Sequence, residues 1–309
     1  MISPGSFVPE DGAAGDALLI SEHITKRYKN TLANNDITLC IPRGKVVGFV
    51  GENGSGKTTF IRIICKLIFP TAGTFCFNTG DGKCRVGAIV ETPSYHPSMS
   101  AEDNLRYQAR LCGTDESRIG SILETVGLAD TGKKKAKHFS LGMRQRLGIG
   151  IALLSDPELL VLDEPTNGLD PQGIVEMRGF LKRLCSENKI TILISSHILS
   201  ELSLMADHYI FIHKGEIIKS VSAEELFSKS TKQILFRCEG DASAFLGEAE
   251  AQGWIEHSEE KDGLMILYGP KDYPAILREL SKLGVTELET RDESLENRYM
   301  NLMEGGVRS

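Results

Sequence analysis

The chain has 309 residues, of which 41% are hydrophobic and 25% are charged, a composition typical of a globular protein with a sizeable core. Its formal net charge of −7 argues against a nucleic-acid-binding surface, which is usually basic, and the lysine-rich run at 133–137 is interpreted as a solvated loop. No apolar run reaches the roughly 18 residues that a membrane-spanning helix needs, so a membrane role would require a separate protein.

The seven cysteines indicate a reducing compartment. They are odd in number and scattered, no two have C-x-x-C spacing, and several lie in apolar runs. This pattern predicts reduced, mostly buried thiols in a cytosolic protein. A metal site at Cys76 and Cys84 would need a second pair or nearby histidines, which the sequence does not supply. The cysteines are Cys40, Cys65, Cys76, Cys84, Cys112, Cys185 and Cys238.

Regular structure is predicted to begin at residue 17. Residues 1–16 are rich in glycine, proline, alanine and acids, and are predicted to form a disordered leader without the pattern of a secretory signal. Strands are expected at 17–20, at 36–41, where apolar and polar residues alternate, and at 46–50, a short β-branched run.

A glycine-rich loop follows the third strand. Residues 51–59 read Gly-Glu-Asn-Gly-Ser-Gly-Lys-Thr-Thr and fit the pattern G-x-x-x-x-G-K-[ST], and the apolar run at 60–67 predicts a helix after it. Glycine lets the backbone curl so that its N–H groups meet polyphosphate oxygens, and a helix N-terminus adds positive potential. Lys57 would neutralise the β- and γ-phosphates and Thr58 would hold Mg²⁺, so the sequence predicts a nucleotide site.

A helical insert is predicted at about 100–155. Short strands at 74–77 and 86–90 precede it, and the loop at 91–97 contains two prolines that forbid a regular element. The insert opens on Ser-Ala-Glu-Asp, which has the form of a helix cap, and it ends before Asp-Pro. Its expected helices cover 100–111, 116–126 and an apolar stretch that ends near 154.

Two later strands end in polar groups. An aliphatic run at 159–162 is followed by Asp163 and Glu164, and a second run at 191–195 is followed closely by His197. Because ligands bind at the carboxyl edge of open α/β sheets, these side chains are expected to meet the phosphate loop there. An acid in the position of Asp163 can hold Mg²⁺ on a nucleotide.

The predicted fold is α/β, with a small α+β domain at the C-terminus. A parallel sheet with helices is expected at 17–227, ending in a hairpin of strands at 208–212 and 216–218. Residues 228–309 are expected to form a ferredoxin-like domain, because strand, helix, strand, strand, helix and strand follow in that order. The predicted elements are 232–238, 242–252, 254–258, 264–268, 275–283 and 285–291, with a last helix at 294–303.

Together with the phosphate loop, three further motifs resemble those of ABC ATPases. Residues 140–145 (Ser-Leu-Gly-Met-Arg-Gln) resemble the signature motif, 167–170 the D-loop, and 195–197 the switch-histidine motif. Tyr28 matches the aromatic residue that stacks on adenine. The motifs occur in the order and spacing of the family, and the resemblance covers about 18–227, which implies the P-loop ABC ATPase fold.

One position departs from the family pattern. The family normally has glutamine where the strand at 86–90 ends, and this chain has Glu91. That form, together with the Met-Arg-Gln signature, resembles the bacitracin and lantibiotic self-protection exporters. An anionic Glu91 could still bind Mg²⁺, but it would repel the γ-phosphate more than glutamine does.

The resemblance implies that two ATPase subunits, expected to be two copies of this chain, sandwich two ATP molecules. Hydrolysis would then use Glu164 to position or deprotonate water, His197 to contact the γ-phosphate, and Lys57 to offset developing charge, with Glu91 as a further catalytic candidate. The implied metal ligands are Thr58, Asp163 and Glu91. The implied nucleotide contacts are Tyr28, Gly51, Glu52, Asn53, Gly54, Ser55, Gly56, Lys57, Thr58 and Thr59 from one subunit, and Ser140, Gly142 and Asp170 from the other.

The resemblance also implies a separate integral-membrane permease, so that the chain would lie at the cytoplasmic side of the membrane as a peripheral subunit. The loop at 91–97 and the helical insert are the implied docking surface. The expected function is export of a peptide antibiotic, a lantibiotic or a drug-like substrate. The alternatives are a soluble ABC ATPase that acts on the ribosome or nucleic acid, the subunit of a non-antibiotic exporter, a non-catalytic regulator, and an importer.

Overall fold

The computed structural model describes residues 16–80, 82–228, 232–238, 240–261 and 263–292. Nearly all of the predicted leader at 1–16 and the whole predicted helix at 294–303 therefore lie outside the described residues. The chain divides into two compact units, Met1–Ala223 and Glu224–Ser309. The boundary proposed from the sequence, after residue 227, lies four residues further along the chain.

The main sheet of the first unit is built around strands that are buried on both faces. Its order is β5-β6-β7-β3-β8-β9, and every pair is parallel except the terminal β8–β9 hairpin. Continuous aliphatic runs suit this position because helices or a second sheet cover both faces of a parallel sheet. The strands are β3 (Val46–Val50), β5 (Val86–Ile89), β6 (Leu159–Asp163), β7 (Thr191–Ser196), β8 (His208–His213) and β9 (Glu216–Ser222).

A separate antiparallel sheet precedes the main one, with the order β2-β1-β4. The expectation of short strands in the parallel sheet is therefore wrong for this region. A tight turn at Lys29 and Asn30 joins β1 to β2, so the two must run antiparallel, and each is twelve residues long. The strands are β1 (Ala17–Tyr28), β2 (Thr31–Pro42) and β4 (Ala72–Phe77).

The helices of the first unit pack against the sheets or form the insert. The predicted cap at Ser100 is confirmed, because its hydroxyl accepts a hydrogen bond from the Asp103 N–H at 3.1 Å. The helix predicted at 116–126 begins as a 3₁₀ turn at Glu116–Arg118 before it becomes α3. The helices are α1 (Lys57–Ile64), α2 (Ala101–Cys112), α3 (Ile119–Thr125), α4 (Leu141–Leu153), α5 (Pro171–Asn188) and α6 (Leu199–Ser203). A further helix, α7 (Ala223–Ser228), begins at the last residue of the first unit and continues into the second.

The main core lies between the two sheets and around α1. Phe60 and Ile61 of α1 are buried, and the Phe60 ring lies 5.4 Å from the ring of Phe49 on β3. Burial of one aromatic side chain stabilises a fold by roughly 1.5–3 kcal/mol. This packing anchors the helix that follows the phosphate loop. None of the helices in the described ranges is long and apolar enough to cross a membrane.

The second unit has the predicted α+β form. Its sheet has the order β11-β12-β10-β13 with all neighbours antiparallel, and α8 and α9 supply residues to its core. The strand predicted at 254–258 was wrong by three residues, because Trp254 and Ile255 donate their N–H groups to Ala249 and so prolong the end of α8. The elements are β10 (Lys232–Cys238), α8 (Ser243–Ala251), β11 (His257–Lys261), β12 (Leu264–Tyr268), α9 (Tyr273–Leu280) and β13 (Val285–Asp292).

Candidate active site

The carboxyl ends of β3, β6 and β7 meet at one edge of the main sheet. The phosphate loop follows β3, Glu164 follows β6, and His197 follows β7. Together with the start of β2, these segments enclose a cleft of about 420 Å³. The structure thus brings together residues that lie more than a hundred positions apart in the chain. The cleft is lined by Thr31, Leu32, Ala33, Asn53, Gly54, Gly56, Lys57, Thr58, Thr59, Glu164, Asn167 and His197.

Position 56 of the phosphate loop, which immediately precedes α1, requires glycine. Its φ of 107° lies in the left-handed region, and a Cβ there would lie 2.4 Å from the Ala33 carbonyl oxygen. No side chain caps α1, so the N–H groups of its first turn remain available to a ligand at the cleft. The Ser55 hydroxyl is also buried without a hydrogen-bond partner, although Ser55 does not line the cleft. The free N–H groups of the first turn of α1 fit a polyphosphate.

Two long-range hydrogen bonds hold the loop from behind. The Gly215 N–H donates to the Ser55 carbonyl at 2.8 Å, and the Asn34 side-chain amide donates to the Gly56 carbonyl at 3.1 Å. Asn34 is fully buried on β2. Sequence reasoning missed Asn34 because no motif marks a residue that reaches the loop only through the fold.

Lys57 lies under the loop with its ammonium group already bonded. Its Nζ donates to the carbonyl oxygens of Gly51 at 2.6 Å and Glu52 at 3.0 Å, and it lies 3.8 Å from Glu164 Oε1. Burial lowers the pKa of Lys57 from its ordinary value, while Glu164, Asp163 and Glu52 act in the opposite direction. The hydrogen bonds to the two carbonyl oxygens therefore fix the Lys57 ammonium group beside the cleft into which phosphates would bind.

Asp163 and Glu164 are held in different environments. The buried Asp163 accepts hydrogen bonds from Thr58 Oγ1 at 3.0 Å and from Ser195 Oγ at 2.5 Å. Glu164 has a left-handed φ of 51°, and its carboxylate lies 2.8 Å from His197 Nδ1. Its own N–H donates to Ser195 Oγ at 3.0 Å. Ser195 thus organises both acids, a role that the sequence analysis did not assign to it.

Thr58 and Asp163 are the protein groups that best fit a divalent cation. Among the described residues, no group of three or more histidine, cysteine, aspartate or glutamate side chains could hold a metal ion on its own. Mg²⁺ is usually bound by one or two protein groups together with substrate phosphates and water. The contact between Thr58 and Asp163 therefore fits a metal that arrives with a nucleotide.

Glu91 takes a different position from the one proposed. Its carboxylate pairs with the Arg62 guanidinium at 2.5 Å, it is 60% exposed, and it does not line the cleft. Its backbone φ of 67° turns the chain out of β5 into the loop that follows. A role for Glu91 as a metal ligand would require this pair to open.

Tyr28 lies at the end of β1, and the residue is 42% exposed. The Lys26 ammonium lies over the ring, 5.1 Å from its centroid, so a planar ligand would stack on the other face or displace the lysine. Residues of the next strand, beginning at Thr31, line the cleft, whereas Tyr28 lies outside that lining. Stacking on an adenine is thus compatible with its exposure.

Ser140, Gly142 and Asp170 belong to a second cleft, of about 460 Å³, which shares no lining residue with the first. Ser140 caps α4 by accepting the Met143 N–H at 3.2 Å, and Asp170 caps α5 by accepting the Gly173 N–H at 2.9 Å. Within a single chain, the structure does not bring these residues to the phosphate loop.

The sequence also matches known proteins. The ABC transporter family matches at residues 34–167. The bacitracin transport ATP-binding protein BcrA of Enterococcus faecalis is 38% identical over 93% of this chain and 96% of its own length. The lantibiotic transport ATP-binding protein SrtF of Streptococcus pyogenes is 43% identical over 71% of this chain and 98% of its own length.

Solved structures agree with the fold. CbiO1 from Clostridium perfringens, part of the ABC transporter complex cbiONQ, has a TM-score of 0.63 at 24% identity and covers 77% of this chain and 96% of its own. A dimeric ATP-binding cassette, MJ0796 bound to ADP and phosphate, has a TM-score of 0.58 at 23% identity and covers 66% of this chain and 98% of its own. At these identities the likeness shows the fold alone.

Proposed function

This chain belongs to the ABC transporter family of ATP-binding proteins, and we propose that it hydrolyses ATP to power the export of a peptide antibiotic of the bacitracin or lantibiotic kind through a separate membrane permease. It has the P-loop ATPase fold, and its family couples ATP hydrolysis to transport. The observation that carries the proposal is the meeting of Lys57, Glu164 and His197 around one phosphate loop. The proposed substrate class follows from the bacitracin transport relative, which matches over 93% of this chain, and from the lantibiotic transport relative, which matches over 71%.

The residues of the cleft have distinct proposed roles in nucleotide binding. The N–H groups of the phosphate loop and of the first turn of α1, with the Ser55 hydroxyl, would bind phosphate oxygens. Lys57 would move its ammonium from the Gly51 and Glu52 carbonyls to the β- and γ-phosphates. Mg²⁺ held at Thr58 and Asp163 would neutralise charge on the same oxygens.

Glu164 is the proposed base for the attacking water. It lies at the end of β6 beside the cleft, and its carboxylate is only partly exposed. His197 contacts one of its oxygens and Lys57 lies near the other, so the carboxylate has a fixed orientation. A general base must lie within hydrogen-bonding distance of the proton that it takes, and these contacts would hold Glu164 there.

A second copy of the chain is the proposed partner at the nucleotide. Ser140 and Gly142 lie at the N-terminus of α4, where N–H groups suit an anion, yet they line a cleft separate from the phosphate loop. Two copies arranged head to tail would place the second cleft of each copy over the first cleft of the other. The related cassette bound to ADP and phosphate is a dimer.

A third groove, of about 440 Å³, is the proposed docking site for the permease. It lies beside the loop that starts at Glu91, and it is lined from both the core and the helical insert by apolar residues such as Val90, Pro93 and Ile151. Leu67, which also lines it, is 62% exposed. We propose that a cytoplasmic segment of the permease covers this groove and that the chain is peripheral on the cytoplasmic face of the membrane.

Co-expression with a candidate membrane permease tests the proposal. Cells that contain both proteins are expected to tolerate bacitracin or a lantibiotic better than cells that contain the permease with Glu164→Gln. The chain should co-sediment with membranes only when the permease is present. Co-sedimentation and ATPase activity without any gain in tolerance would indicate a non-antibiotic exporter. Full ATPase activity without membrane association would favour a soluble ABC ATPase.

A further inference from the structure

Arg62 and Thr58 lie on the same face of α1. They are four residues apart, a spacing that puts side chains one above the other on a helix. Thr58 contacts Asp163 at the proposed metal position, and Arg62 contacts Glu91 one turn further along. The pair of Arg62 and Glu91 is therefore about 5–6 Å of helix rise away from the cleft.

The cleft already contains several negative charges. The Lys57 ammonium has Glu164, Asp163 and Glu52 in its electrostatic environment. A nucleotide would add a polyphosphate to this group. An uncompensated Glu91 carboxylate beside the same helix would add to this negative charge and oppose nucleotide binding, because like charges repel, most strongly at low salt.

The loop after Glu91 is held at two points. Arg62 binds Glu91 on the side of α1, and Pro93 packs against Gly148 of α4, where a Cβ on the glycine would lie 2.4 Å from the proline Cβ. Thr92, the residue between these two points, lines the groove of the proposed permease site together with Pro93. Arg62 is thus positioned to set both the charge and the location of this loop.

We propose that Arg62 is a positioning residue that neutralises Glu91 and holds its carboxylate away from the phosphate site, so that a chain with glutamate at this position can bind ATP. The inference rests on the proposed function of the cleft. According to this proposal, Arg62 is needed for ATP binding only because residue 91 is a glutamate. Removing the negative charge of Glu91 should therefore make Arg62 dispensable.

A double-mutant cycle on nucleotide binding tests this dependence. The affinity of the full chain for a fluorescent ATP analogue is measured with Mg²⁺, at low and high salt, for wild type, Arg62→Met, Glu91→Gln and the double variant. Arg62→Met is expected to weaken binding about three- to tenfold at low salt and less at high salt. The double variant should bind within about twofold of Glu91→Gln.

Two controls separate the possible failures. Arg62→Lys keeps the charge and is expected to bind more tightly than Arg62→Met, while the thermal midpoints of all variants should stay close to that of wild type. If Arg62→Met binds as wild type does, or if the double variant is as weak as Arg62→Met, the role of Arg62 is overturned. A wild-type chain that binds no better than Lys57→Ala would overturn the proposed function, and this inference with it.

Discussion

The Ser195 hydroxyl donates a 2.5 Å hydrogen bond to the Asp163 carboxylate, and the same oxygen accepts the N–H of Glu164. One buried side chain on β7 therefore sets the position of both acids at the end of β6. The arrangement links the proposed metal ligand to the proposed base through a single hydroxyl.

Ser195→Ala should remove the hydroxyl that contacts both Asp163 and Glu164. The buried Asp163 would lose one of its two hydrogen bonds, which we expect to lower the free energy of unfolding by about 1–3 kcal/mol. ATP turnover should fall more than ATP affinity, because the Glu164 N–H loses its hydrogen bond to the hydroxyl and keeps only the one to the Ser195 carbonyl at 3.2 Å. Urea unfolding and steady-state kinetics measure these effects. Ser186→Ala, at an exposed hydroxyl, is the matched control, and equal behaviour of the two variants would contradict this role.

Glu164→Gln should separate binding from hydrolysis. The variant keeps the shape of the side chain but cannot accept the proton of the attacking water, so turnover is expected to be nearly abolished while ATP affinity is retained. Phosphate release and equilibrium binding are measured on the same preparation, with Glu187→Gln on the exposed side of α5 as the control. Hydrolysis of ATP by Glu164→Gln at a near-normal rate would show that Glu164 is not the base.

The affinity for ATP should fall at alkaline pH. Only the protonated Lys57 can neutralise phosphates, and burial lowers the pKa of Lys57 from 10.5 in the free chain. As the pH rises through that lowered value, the neutral amine replaces the ammonium ion, so binding is lost at a lower pH than for an exposed lysine. Titration of a fluorescent nucleotide from pH 7 to 10.5 measures the loss. Tyr28→Phe, which lacks the phenolic hydroxyl of the proposed adenine contact, should show the same fall in affinity. An affinity that does not change with pH in either wild type or this variant would contradict the proposed role of the Lys57 charge.

Gly56→Ala should cost more stability and more nucleotide affinity than Gly54→Ala, although both glycines have positive φ. At Gly54, with φ of 82°, a Cβ meets no atom within 4 Å, so the cost is the left-handed conformation alone, about 1–2 kcal/mol. At Gly56 the Cβ also collides with the Ala33 carbonyl. We expect Gly56→Ala to lose more stability, measured by denaturant unfolding, and to lose nucleotide binding. Equal losses would show that the contact with β2 does not matter.

The ATPase rate per chain should rise with protein concentration. A site completed by Ser140 and Gly142 of a second copy turns over only in the dimer, whereas a site complete in one chain gives a constant rate. Activity is measured from well below to well above the dimerisation range detected by light scattering. A rate per chain that does not change across that range would contradict the shared site.

Several parts of the fold and the cleft could be predicted because their signals are contiguous in the sequence. The strands Val46–Val50 and Leu264–Tyr268 were predicted at their observed bounds, since uninterrupted apolar runs between turns leave little choice of structure. The residues of the phosphate loop lie next to one another in the chain. Their spacing alone predicts a curled backbone that presents N–H groups to phosphate.

The rest was decided by packing between distant segments. The pairing of β1 with β2 and β4 in a separate sheet, and the shift of the strand near Trp254, depend on which backbone groups find partners. The contacts of Ser195 with Asp163, and of Arg62 with Glu91, join residues 32 and 29 positions apart. Sequence spacing cannot specify such pairs, because a side chain selects its hydrogen-bond partner only after the fold has brought the two groups together. The sequence by itself determined the kind of chemistry, and the tertiary structure decided which neighbours hold the reacting groups in place.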